Sequence, residues 1–77
     1  MLFLSVHAVR GMRRRNIVRD EVVQALGQPD IVYPSEEFPE ERTVTLGRTA
    51  SGRRLKIVTE TAEMNHVITV ADRDSEE

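Results

Sequence analysis

The chain has 77 residues, 39% of them hydrophobic, no cysteine, and a formal net charge of −2. That length allows one small domain, expected over 1–77, and the lack of cysteine excludes a disulfide-stapled scaffold. Aromatics are limited to Phe3, Tyr33 and Phe38, so the core must be built from Val, Ile and Leu.

No apolar run approaches the roughly 18 residues of a membrane-spanning helix. The opening Met1–Val6 is too short for a signal peptide and has no basic leader. The expectation is a cytoplasmic protein of bacterial style. Charge is segregated along the chain. Residues 1–27 carry +3, 28–41 carry −5, 42–61 carry +4 and 62–77 carry −4. Such blocks suit either an ordinary mixed surface or a basic working face beside an acidic loop and tail.

Met1–Leu4 reads as a short edge strand or as the start of the first helix. Ser5 is an N-cap candidate. The stretch from Ser5 to Leu26 reads as two short helices joined at Asn16–Ile17. Gly11 interrupts the first at a cost of about 1 kcal/mol relative to Ala, and would permit close approach to a neighbour. Arg13–Arg15 end it, where positive charge complements the helix dipole. In the second helix Val18 stands at the N-cap with Glu21 three residues on, and Ile17 and Val22 can form a hydrophobic staple. Gly27 and Pro29 mark its end.

Four strand candidates follow. Asp30–Tyr33 precedes an acidic loop, Pro34–Glu41 (PSEEFPEE). Arg42–Arg48, Arg53–Glu60 and His66–Ala71 show period-two alternation. Asp72–Glu77 reads as an acidic flexible tail. The predicted fold is α+β: two N-terminal helices packed on one face of a four-stranded, mainly antiparallel sheet, in the order α-α-β-β-β-β, with its core in 5–71. Alternation predicts Val44, Leu46, Leu55, Ile57, Ile68 and Val70 toward the helices. Thr43, Thr45, Arg54, Lys56, Val58, Val67 and Thr69 then lie on the opposite face.

His7, Arg10 and Arg14 fall at i, i+3 and i+7 and share one helix face. The stretch HAVRGMRRRNIVRDEVVQAL resembles the opening of the domain of unknown function 4258 family. The shared features are His7, Arg10, Met12, Arg13–Arg15, Ile17 and Val22. Gly52–Val58 (GRRLKIV) is similar to the family's central strand and Val67–Val70 (VITV) to its closing strand, so the likeness spans about residues 5–71. It implies a fold like that of RelE and ParE toxins and of barnase-like and EndoU-like ribonucleases. It carries site roles to His7 and Arg10, to Arg54 or Lys56, and to Thr69. Two positions depart from the pattern: Val18, where Ser or Thr commonly caps, and Ala71, where an aromatic or basic residue is frequent.

Metal-free RNA cleavage needs a base for the ribose 2′-hydroxyl, a cation for the charge developing on phosphorus, and an acid for the leaving oxygen. His7 suits proton transfer, with an ordinary pKa near 6.5. Arg10 and Arg54 match phosphate oxygens, with Thr69 assisting. Arg14 and Lys56 are expected RNA contacts. No cofactor is expected, and neither zinc-ligand spacing nor a Gly-rich phosphate loop is present. Two function classes stay open. One is a toxin-like, metal-independent ribonuclease with RNA and an antitoxin-like protein as partners. The other is a non-catalytic protein- or nucleic-acid-binding module. The chain is expected to be a monomer or homodimer with no membrane association.

Overall fold

The structure is a computed structural model that describes residues 1–74. The element order is β1 (Phe3–Leu4), α1 (Val6–Arg15), α2 (Arg19–Gly27), β2 (Pro29–Pro34), β3 (Arg42–Arg48), β4 (Arg54–Glu60) and β5 (His66–Asp72). Among the described residues the sheet has five strands in the order β1-β5-β4-β3-β2, not four. The added strand is the apolar opening. Phe3 pairs with His66 and Leu4 with Val67 in parallel register, while the other strands form an antiparallel meander. Asp72, expected to open the tail, belongs to β5, and the Arg73 N–H donates to the Arg54 carbonyl at 3.0 Å. Residues 75–77, the rest of that tail, lie outside the described residues.

Local signals account for both helices. The Ser5 hydroxyl oxygen accepts from the Ala8 N–H at 3.0 Å and caps α1. Its hydroxyl also donates to the Ile68 carbonyl at 2.8 Å, tying the helix start to β5. Asn16 ends α1 in the left-handed region at φ 59°, which a short polar side chain tolerates. At α2 the Glu21 carboxylate accepts from the Val18 N–H at 3.0 Å, half of a capping box whose other half a valine side chain cannot supply. Ile17 and Val22 are both buried, as a staple requires. Gly27 lies inside α2 rather than beyond it, and Gln28 is the C-cap.

Ala8, Met12, Ile17, Val22 and Ala25 from the helix region close over Leu55, Ile57, Val67 and Val70 from the sheet. Helix α1 lies along β5, and α2 against β3 and β4. The predicted facing of β3 is reversed. Thr45 pairs with Ile57 and Gly47 with Leu55, so Thr43, Thr45 and Gly47 share the helix side while Val44 and Leu46 lie on the open face. The reason is space. A Cβ on Gly47 would overlap the Ala25 carbonyl oxygen, so α2 can sit this close only above a residue without a side chain. Facing is also corrected in β5. A bulge opposite Val58/Thr59 puts Val67 beside Thr59, buried at 1% exposure, and leaves Ile68 as the extra, half-buried residue.

Candidate functional site

Helix α1 approaches β5 through Gly11, where a Cβ would stand 2.8 Å from the Val70 carbonyl oxygen. Close approach at this glycine leaves a cleft of about 160 Å³ beside it. The cleft is lined by His7, Gly11, Arg14 and Arg15 from the helix, and by Thr69, Val70 and Ala71 from the strand. On α1 these positions are i, i+4, i+7 and i+8, a single face.

The cleft opens at the sheet edge. Among the described residues β1 pairs with β5 only at His66 and Val67, so Thr69–Ala71 have α1 above them and no strand partner on that side. By register with Val58, Thr69 belongs to the open face of the sheet. Lying at the edge, it also borders the cleft shared with His7. A helix packed on one face thus meets a residue of the other face around the strand edge.

Three of the sequence-predicted residues, His7, Arg14 and Thr69, come together there. Arg10 does not. It is exposed on the neighbouring ridge of α1 and is not among the residues lining the cleft. Arg54 and Lys56 are on the open face of β4, one strand inward. Lys56 stands opposite Ala71, so it lies directly across β5 from the cleft floor. Lys56 also borders a shallower hollow of about 530 Å³ with Tyr33, Glu36, Glu37, Val44 and Val58. Arg54 is opposite Arg48, a like-charge pair relieved by Asp30, whose carboxylate accepts from Arg48 at 3.1 Å. His66 begins β5 with its Nδ1 3.0 Å from Glu60 Oε1 and Phe3 edge-on to its ring, away from the cleft.

The frame around the cleft depends on Arg53, whose role sequence reading missed. Its Nε and Nη2 meet the two carboxylate oxygens of Asp72 at 2.9 and 3.2 Å. It also donates to the carbonyls of Arg15 at 2.7 Å and Asn16 at 3.1 Å. One guanidinium thus satisfies the end of α1 and ties it to β4 and β5. The hydrogen bonding of Arg53 to the Asp72 carboxylate is the largest influence raising the Arg53 pKa above its ordinary value, ahead of the opposing effect of burial. A pair of guanidinium-binding acids, Glu21 and Asp72, on separate elements was the available signal, but nothing in their spacing joins them. Arg15 and Gly11 were more legible, since both follow from His7 at helical spacing.

Among the described residues no group of three or more His, Cys, Asp or Glu is placed to hold a metal ion. No helix among them is long and apolar enough to cross a membrane. Neither the curated proteins nor the solved structures provide a match. A family model described as "Domain of unknown function (DUF4258)" matches residues 4–72, which include both walls of the cleft, and the chain belongs to that family.

Proposed function

We propose that the chain is a small, metal-independent endoribonuclease of toxin-like type, with the scissile phosphate seated between α1 and the edge of β5. The observation that carries this reading is the meeting of His7, Arg14 and Thr69 at one cleft. The reaction class comes from the resemblance to RelE/ParE-like toxins and barnase- and EndoU-like ribonucleases. The His7 imidazole takes the 2′-hydroxyl proton. The 2′ oxygen bonds to phosphorus as the bond to the 5′ oxygen breaks, water supplies the proton to that leaving oxygen on the far side, and the imidazolium then returns its proton to solvent. The products are a 2′,3′-cyclic phosphate and a 5′-hydroxyl. Arg14 balances the charge that develops on the phosphoryl oxygens, and Thr69 hydrogen-bonds one of them. Arg10 flanks the entrance from the helix side, and Lys56 and Arg54 hold the continuing strand across the open face.

The test is incubation of the purified chain with RNA in excess chelator, followed by analysis of the fragment ends. Cleavage leaving cyclic phosphate termini is expected, and His7→Ala lowers the rate roughly 100- to 10,000-fold while the protein stays folded. Intact RNA under these conditions, or cleavage unaffected by His7→Ala, overturns the reading. An antitoxin-like partner belongs to the same proposal: expression arrests growth, and His7→Ala relieves the arrest.

A further inference from the structure

The opposite edge of the sheet is organised differently. All six residues of β2 are exposed, with Ile31 at 49% and Val32 at 52%. Tyr33 completes three consecutive apolar residues on this outermost strand.

The hydrogen-bond ladder shows which peptide groups are committed. The Ser35 N–H donates to the Arg42 carbonyl at 3.0 Å, and this pair continues the register Tyr33–Val44 and Ile31–Leu46. On the other side of β3, the Thr61 N–H donates to Glu41 and the Thr49 N–H to Arg53, which commits the alternate residues of β3 to β4. Ile31 and Tyr33 therefore spend their peptide groups on β3, while the N–H and C=O of Val32 point away from the sheet. The template is short. A bulge between Pro29 and Ile31 bounds it on one side, and Pro34, with no N–H, bounds it on the other.

We infer that a second copy of this chain docks on β2, antiparallel, about a two-fold axis through Val32, joining the two five-stranded sheets into one. The strand matches itself in this arrangement. Val32 exchanges both outward hydrogen bonds with its counterpart, and Ile31 of each copy stands across from Tyr33 of the other on the open face. No other alignment centres the one outward donor on an outward acceptor between the bulge and the proline.

Charge complements the same geometry. The loop after Pro34 carries Glu36, Glu37, Glu40 and Glu41. Antiparallel docking lays that loop beside the start of the other copy's β2. There Arg48 and Arg73 flank Asp30 at 3.1 and 3.3 Å, and Arg54 neighbours Arg48. Two acidic loops thus meet two basic corners, and the loops themselves stay at opposite ends of the interface.

Sedimentation over a range of concentrations tests this directly, and it does not depend on any cleavage activity. A reversible dimer is expected, weakened by added salt. Val32→Pro removes only the outward N–H and leaves the β2–β3 ladder, and should raise the dissociation constant at least about tenfold. Ile31→Lys is a second variant that keeps β2 intact and should weaken the dimer similarly. Because the chain has no cysteine, Val32→Cys should cross-link two copies on mild oxidation, whereas Val23→Cys on the exposed side of α2 should not. A chain that stays monomeric at its highest soluble concentration overturns the inference and assigns the edge to a different protein or to none. A dimer indifferent to both Val32→Pro and Ile31→Lys overturns it as well.

Discussion

The two edges of one sheet are treated in opposite ways. At the β5 edge, β1 pairs for two residues, Ser5 ties the start of α1 to the Ile68 carbonyl, and the helix then runs along β5. What remains beside the helix is a narrow polar cleft. At the β2 edge every residue is exposed, and two prolines and a bulge restrict the strand without burying it. Unprotected strand edges recruit partners, and Pro is a common means of limiting such pairing. The difference teaches that one small sheet can carry two kinds of edge: a covered one beside a recess, and a bare one whose middle residue leaves its peptide groups unspent on the sheet.

The comparison can be broken first at the cleft. Arg14→Ala should lower RNA cleavage at least tenfold, with the larger loss in kcat, because its charge acts on the transition state more than on bound RNA. Arg10→Ala, outside the cleft, should change kcat little; equal losses from both would remove the distinction drawn from the geometry. Gly47→Ala tests the packing between the two edges. It should destabilise the fold by about 3 kcal/mol in denaturant unfolding, because α2 must lift from β3.

Arg53→Ala should cost about 2 kcal/mol by removing charge-assisted hydrogen bonds at the end of α1. The raised Arg53 pKa sets the sign of its pH dependence. Its contribution is fully present below the ordinary arginine value and is lost only as pH rises through the higher, folded one. Unfolding curves near neutrality should therefore show no pH dependence arising from this group. Ser5→Ala should cost about 1 kcal/mol by removing the helix cap, and should also loosen the β5 edge, read as faster amide exchange at Ala8. The smallest effect on stability belongs to the bare edge. Ile31→Lys should leave the thermal midpoint nearly unchanged, since the residue is half exposed, while altering association.

Much of the secondary structure was legible because its signals are local. Ser5, Glu21, Asn16 and the Ile17–Val22 staple act within one turn of the residues they affect. The period-two runs from 42, 53 and 66 name strands without reference to their neighbours, to within one residue of the observed start of β4. The short strand Phe3–Leu4 was ambiguous because two residues carry no period. Of the cleft lining, helical spacing put His7 and Arg14 on one face, and the family resemblance singled out His7 and Thr69. The exclusion of Arg10 from the cleft was not legible, because i+3 and i+4 neighbours of His7 look equally close on a bare helix.

Sequence by itself determined that this chain makes two helices and then a meander, with an imidazole and guanidinium groups on one helical face. Alternation divides a strand into two faces but does not say which one is buried. Tertiary structure decided that for β3, where the clearance beneath α2 admits only Gly47 and turns Val44 and Leu46 to the face away from the helices, where Val44 is still buried. It decided likewise for β5, where one extra residue shifts Val67 into the core. Only the lateral position of α1 over β5, set by contact at Gly11, brings His7 and Thr69 from opposite faces to one edge. These outcomes depend on distances between segments far apart in the chain, which local propensity does not encode.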